Sequence, residues 1–242
     1  MKKFFSPRNW HKLPHWLRRA RHNLFYSLND EVYWDEYVRL WEKENETRQL
    51  KYLGNEWSRE EDFLSLLERY ARKDARALEI GCGGGRITAR AVQLFHHVHA
   101  TDVSREMLRM GKSQLQAANV SFHKLDGFTL DEFADASLDF VYSHDVFVHF
   151  PALQVYSYLG EIKRVLKPGG LGLISFLPFV TQFTWFKQLS LEYFSQRRVP
   201  PHMRHNFVTE EMLRTMLADW QLAVRQLDSG HYLIAVFEKS KI

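Results

Sequence analysis

The residues best suited to chemistry in this chain run together: Glu79-Ile80-Gly81-Cys82-Gly83-Gly84-Gly85-Arg86. An apolar run from Ala77 ends in a carboxylate, and glycines at 81, 83 and 85 follow. Glycine accepts positive φ and lets a ligand approach with no Cβ in the way. After the turn, Ile87, Ala91 and Leu94 recur at helical spacing. The stretch therefore reads as strand, tight turn and helix start. Unpaired N–H groups at a helix start would face a ligand's polar groups. Taken alone, the same pattern also suits a purely structural turn.

Spacing narrows the ligand. A dinucleotide fingerprint places glycine at the first, third and sixth positions of the turn. Counted from Gly81, the sixth position is Arg86, so that fingerprint fails at its last glycine. Val98 to Asp102 reads as a second strand ending in an acid, with Ser104 as a helix cap. Asp102 lies roughly 20 residues past the turn, where a carboxylate can meet ribose hydroxyls. Val120 to Leu125 alternates like a third strand and ends at Asp126-Gly127, which is also a turn signal. Leu138 to Ser143 reads as a fourth strand, with His144-Asp145 at its carboxyl end. A helix over Leu153 to Leu166 then meets Lys167-Pro168-Gly169-Gly170, which turns the chain into a strand from Leu171 to Phe176.

Two of these stretches carry a resemblance. The Glu79-to-Gly85 turn resembles motif I of the S-adenosylmethionine-dependent methyltransferases. Leu166-Lys167-Pro168-Gly169-Gly170 resembles a later turn of the same family, at matching order and spacing. The subfamily resembled is the broad type 11 group, defined by its cofactor half and spread over many substrates. The resemblance implies an α/β, doubly wound, mostly parallel seven-stranded sheet of the Rossmann-like class I kind. It implies S-adenosyl-L-methionine as cofactor, held by Glu79, Gly81, Cys82, Gly83, Gly85, Asp102, Val103, Asp126, Gly127, Phe128 and Ser143. In the family an acid at the Asp126 position reaches the adenine amino group, and the next backbone N–H faces a ring nitrogen.

For the chemistry itself, His144, Asp145 and His149 are the candidates near the expected methyl position, and His144 and Asp145 are preferred as catalytic groups. The alternative for His144 and Asp145 is capping of the next loop, and His149 suits a packing role. The implied function is methylation of an oxygen or nitrogen on a small-molecule or lipid- or glycan-linked acceptor. The alternatives are a catalytically silent binding or scaffold protein of this fold and an NAD-linked oxidoreductase. Nucleic acid is not an expected partner. The fourth strand end carries no cysteine for cytosine C5 chemistry, and no Asn-Pro-Pro-Tyr motif is present.

The 242 residues suit one α/β domain with added segments. Residues 1–72 read as a basic, aromatic helical extension and residues 73–242 as the catalytic domain, with 177–208 as a substrate-side insertion. In the extension, Tyr33, Trp34, Tyr37, Leu40 and Trp41 form one apolar face, and Gly54-Asn55 breaks it from a second helix. The insertion holds Phe179, Phe183, Trp185, Phe186, Tyr193 and Phe194, then Arg197, Arg198, His202, Arg204 and His205 around Pro200-Pro201. It is longer than a connection needs to be. Thr209 caps a last helix to Trp220, and Leu222 to Phe237 closes as a hairpin around Ser229-Gly230.

Charge is uneven. The net charge is +4, yet residues 1–29 carry seven Lys or Arg and no acid. Trp10, Trp16 and Phe25 are interleaved with these bases. The segment reads as a helix docked on the domain, as a patch for peripheral contact with an anionic membrane, or as a targeting or nucleic-acid segment. Cys82 is the lone cysteine, which favours a reducing, cytoplasmic setting and a small turn residue over a nucleophile. His96, His97 and His99 lack a completing carboxylate, and no metal site is expected. Oligomeric state is not readable.

Overall fold

The structure is a computed structural model, and it describes residues 30–48, 53, 59–196 and 205–241. Residues 1–29, Gly54-Asn55 and the run from Arg197 to Arg204 lie outside the described residues, so the readings placed on them concern sequence alone. Five strands build the parallel part of the sheet: β1 Arg76–Ile80, β2 His97–Asp102, β3 Val120–Lys124, β4 Leu138–Ser143 and β5 Leu166–Pro178. After them come β6 Phe207–Val208, β7 Leu222–Ser229 and β8 Leu233–Lys239. The sheet order is β3-β2-β1-β4-β5-β8-β7, and β6 pairs with the end of β5. The expected seven strands are present, and the eighth is the two-residue β6.

The helices are α1 Asp30–Arg48, α2 Glu61–Tyr70, α3 Thr88–Ala91, α4 Arg105–Gln114, α5 Ala152–Val165, α6 Phe183–Gln196 and α7 Glu210–Asp219. Parallel strands covered on both faces must be apolar on both faces, and β1 and β4 are buried along nearly their whole length. Leu78 and Ile80 pack with α5 and α7 through Tyr158, Leu159, Ile162, Leu213 and Leu217. Ala77 lies on the other face with Phe63, Leu66 and Leu67 of α2. Thr209 caps α7 through a hydrogen bond from Met212 N at 3.1 Å.

Three sequence readings change. The helix after the glycine turn is the four-residue α3 and stops at Ala91. The Val92 and Phe95 carbonyls there accept hydrogen bonds from Asn119 Nδ2, so they do not extend a helical ladder. On α1, Leu40 is off the apolar face and half exposed, while Val38 and Trp41 pack on Met107 and Met110 of α4. The strand expected from Leu171 starts at Leu166, because Leu138 pairs with Leu166 before the register shifts to Phe140–Leu171. The Lys-Pro-Gly-Gly turn is thus an irregularity inside β5.

Candidate functional site

The order of the sheet reverses between β1 and β4, and ligands of open α/β sheets bind outside the carboxyl strand ends at such a point. The glycine turn leaves β1 there. Gly81 has φ +73°, and a Cβ on it would lie 2.4 Å from Val146 Cγ2, so only glycine fits. Gly83, with φ +53°, is the opposite case: among the described residues a Cβ would meet only Met107 Sδ, at 3.9 Å. That side of the turn is an open cradle. Gly85 closes the turn by donating to the Cys82 carbonyl at 3.0 Å.

Asp102 is tied directly to this turn. Its Oδ2 accepts from Gly83 N at 2.9 Å and its Oδ1 from Ser104 N at 2.8 Å. Each oxygen keeps a lone pair for a further donor. Burial raises the Asp102 pKa to about 6, against backbone hydrogen bonds from Ser104, Gly83 and Val103, and the Asp35 carboxylate adds to the rise. The end of β3 comes close as well. A Cβ on Gly127 would lie 3.1 Å from Val103 Cγ1, so the Asp126-Gly127 loop and the Asp102-Val103 end touch. Asp126 is turned onto its own loop, accepting from Phe128 N at 2.7 Å and Thr129 N at 2.9 Å. Phe128 is 71% exposed beside it, an aromatic face open to a ligand.

Glu79 and Ser143 face the interior. Glu79 Oε2 accepts from Thr88 Oγ1 at 2.6 Å and Tyr142 OH at 3.0 Å. Burial pushes its pKa up to about 7. Ser143 Oγ donates to the Ile80 carbonyl at 2.7 Å, which braces β4 against the turn. What these two side chains give a ligand is the placing of the backbone. Cys82 packs with Ala100 and Leu108. Burial, then the Asp102 and Glu79 carboxylates, push its thiol pKa well up, so it stays a thiol at neutral pH.

His144 and Asp145 sit where β4 ends. The His144 ring is buried between Phe63, at 4.5 Å, and Tyr232, at 5.0 Å. Its Nδ1 has no hydrogen-bond partner among the described residues. Burial, then the positive Arg86, lowers its pKa to about 3, so the ring is neutral. Asp145 has φ +62° and accepts from Tyr232 OH at 2.9 Å, while its N–H donates to Ser175 Oγ at 3.0 Å. His149 lies in a short turn beside them, with Trp34 at 5.1 Å and His205 at 5.4 Å. Trp185 of α6 continues the row at 5.9 Å from His205. An aromatic wall thus runs from α1 to α6 past the β4 end.

Three residues of this region escaped the sequence reading. Asp35 of α1 accepts from Ser104 Oγ at 2.7 Å, Tyr232 holds Asp145, and Glu60 pairs with Arg86. Each partnership spans distant parts of the chain and leaves no local periodic signal. The His cluster stands apart from the site: His97 bonds Ser121, and His99 bonds His123 at 3.1 Å.

The open glycine cradle, the carboxylate fixed 2.9 Å from it and the exposed aromatic fit S-adenosyl-L-methionine. The cradle leaves room for a close backbone approach, and Asp102 offers acceptor oxygens of the kind a ribose hydroxyl needs. Comparisons with known proteins agree. Residues 78–174 match a family described as methyltransferase domain. The chain is 37% identical over 106 residues to sterol 24-C-methyltransferase of Neurospora crassa, covering 41% of this chain and 27% of that protein. It is 24% identical over 204 residues to ubiquinone biosynthesis O-methyltransferase of Nitrosococcus oceani, covering 78% and 85%. The chain spans about a quarter of the length of the sterol methyltransferases it matches. Among solved structures, a SAM-dependent methyltransferase from Methanosarcina mazei aligns with TM-score 0.60 at 18% identity, over 72% of this chain and 97% of that one. Magnesium protoporphyrin IX methyltransferase from Synechocystis with bound SAH aligns with TM-score 0.59 at 17% identity, over 74% and 81%. Residues 78–174 carry a methyltransferase domain similar to the type 11 group, on the class I fold of the S-adenosylmethionine-dependent methyltransferases.

Proposed function

We propose that the protein methylates an oxygen or nitrogen of a small-molecule or lipid- or glycan-linked acceptor, at the cytoplasmic face of a membrane. The observation that carries this reading is the 2.9 Å bond that holds Asp102 to the glycine turn, which presents carboxylate and open backbone together. S-adenosylmethionine supplies an electrophilic methyl on a sulfonium, and the protein's part is proximity and orientation. Gly81, Gly83, Gly85, Asp102, Val103, Asp126, Gly127 and Phe128 are assigned to hold the cofactor, with Glu79, Cys82 and Ser143 fixing the turn from behind. His144 and Asp145 are assigned to the acceptor side. A hydroxyl acceptor needs a base near the operating pH; a neutral His144 suits hydrogen bonding and orientation better than full proton capture. The aromatic wall of Trp34, His149, His205 and Trp185 supports an acceptor with an apolar or ring-bearing body.

The relatives' names cover a sterol carbon and a ubiquinone-pathway oxygen, so the family leaves the acceptor atom open. The basic, aromatic residues 1–29 support a place at an anionic membrane. Calorimetric titration tests the cofactor assignment: S-adenosylhomocysteine should bind and NAD should not. Methyl label from S-adenosylmethionine should then pass to one component of a lipid or metabolite extract. Micromolar NAD binding with no response to S-adenosylhomocysteine would overturn the reading.

A further inference from the structure

Asp145 is held between β5 and the start of β8. Its N–H donates to Ser175 Oγ of β5 at 3.0 Å, and Ser175 is fully buried. Its Oδ1 accepts from Tyr232 OH at 2.9 Å. Its Oδ2 has no hydrogen-bond partner among the described residues. Burial, then the Asp145 carboxylate, raise the Tyr232 pKa, so the phenol keeps its proton and donates. Tyr232 is fixed in turn. Its ring packs edge-on against His144, its carbonyl accepts from Gly230 N at 2.9 Å, and Gln182 Nε2 donates to the neighbouring His231 carbonyl at 2.9 Å. The Asp145 backbone, at φ +62°, would suit glycine better, so the turn alone does not call for a carboxylate. Val146, which follows, packs against Gly81. The loop that bears the carboxylate is thereby seated on the turn assigned to the cofactor.

We infer that Asp145 Oδ2 receives the hydrogen of the methyl acceptor, and that Tyr232 is the positioning residue that aims it. An ionised carboxylate only accepts hydrogen bonds, so it pairs with a donor and repels an anion. The acceptor class is then a phenol, an alcohol or an amine, whose oxygen or nitrogen carries a hydrogen, and not a carboxylate. In the transfer, that oxygen or nitrogen bonds the methyl carbon, the carbon–sulfur bond breaks with its electron pair left on sulfur, and the proton passes to Oδ2. The inference rests on the methyltransferase reading and narrows its acceptor. The positive Arg86 and Arg59 also reach Tyr232, and Arg86 is paired with Glu60. An anion drawn to these bases is the competing occupant, and benzoate stands for it in the test.

Phenol, aniline, anisole and benzoate are titrated near neutral pH into the full-length protein saturated with S-adenosylhomocysteine, and binding is read by ligand-detected nuclear magnetic resonance. Phenol and aniline should bind at least tenfold more tightly than benzoate. They should bind several-fold more tightly than anisole, which keeps the ring and lacks the hydrogen. Asp145→Gly, which this backbone accepts, should erase both preferences. Tyr232→Phe keeps the ring against His144. It should weaken phenol and aniline several-fold and leave anisole and benzoate unchanged, whereas a packing role would move all four together or none. Tyr156→Phe removes the same kind of bond, to Asp219 between α5 and α7, and should change nothing. Circular dichroism and titration with S-adenosylhomocysteine establish that each variant is folded. Failure of wild type to bind S-adenosylhomocysteine would remove the methyltransferase reading, and this inference with it. With that binding intact, three results overturn the inference alone. Wild type prefers benzoate or treats phenol and anisole alike, or Asp145→Gly keeps the wild-type preference, or Tyr232→Phe moves all four probes equally or none.

Discussion

Asp35 of α1 accepts hydrogen bonds from Ser104 Oγ at 2.7 Å and Glu106 N at 3.2 Å, and Ser104 in turn caps α4 and holds Asp102. One carboxylate of α1 thus fixes the turn that holds Asp102. Removing it in Asp35→Ala should cost about 1–2 kcal/mol of stability, the size of a lost charge-assisted cap. Asp35→Asn keeps an oxygen for both donors and should lose less than half of that. Urea unfolding of the two variants checks this. Equal losses would mean that charge, and not geometry, is what Asp35 contributes.

A second prediction follows from the raised pKa values of Asp102, about 6, and Glu79, about 7. A cationic cofactor favours ionised carboxylates, so its binding should expel protons. Calorimetry of S-adenosylmethionine binding at pH 6.5 in two buffers of different ionisation enthalpy should give different heats, and the difference should vanish at pH 8.5. Asp102→Ala should weaken binding by about 1.5–3 kcal/mol. Identical heats in both buffers at pH 6.5 count against a cation beside these acids.

The third prediction concerns Glu79 as a structural acid. Its folded pKa lies above the ordinary value of 4.5. Its contribution is therefore complete below pH 4.5 and is lost as pH rises through about 7, by about 3 kcal/mol. Glu79→Gln can still accept the Thr88 and Tyr142 bonds but cannot ionise. The variant should match wild type at pH 5 and melt higher at pH 8.5. A lower melting temperature at pH 8.5 would show that the ionised form is the stabilising one.

Much of this site was legible because its parts lie at strand ends. Short apolar or alternating runs that end in an acid, a glycine turn or a histidine locate β1 to β4, and the sheet brings their carboxyl ends together, so Gly83 meets Asp102 and Gly127 meets Val103 as their sequence positions suggest. Side-chain direction was less legible. Glu79 alternates to the α2 face and meets Tyr142 there, and Asp126 folds onto its own turn. The Asp35–Ser104 and Tyr232–Asp145 bonds join residues 69 and 87 positions apart, and only the packed fold sets such pairs. The short α3 was misread because apolar spacing at Leu94 says nothing about carbonyls already bonded to Asn119.

The last prediction turns on His144, whose folded pKa of about 3 lies below the ordinary 6.5. The unfolded chain therefore takes up a proton first as pH falls, and stability must decline from pH 6.5 downward. For a ring this buried the loss is on the order of 3 kcal/mol by pH 4. His99, held down to about 4 chiefly by burial, acts in the same direction. His144→Phe keeps the packing against Phe63 and Tyr232 and removes the titration. Its stability should fall less steeply between pH 6.5 and 4 than that of wild type, with His99 supplying the remaining slope. The same variant separates two catalytic roles. If His144 orients the acceptor as a neutral ring, turnover falls at all pH values and the profile keeps its shape between pH 5 and 8. If it accepts the proton, removing it also removes the acid limb of the profile. The buried, neutral ring predicts the first outcome, and a lost limb would contradict it.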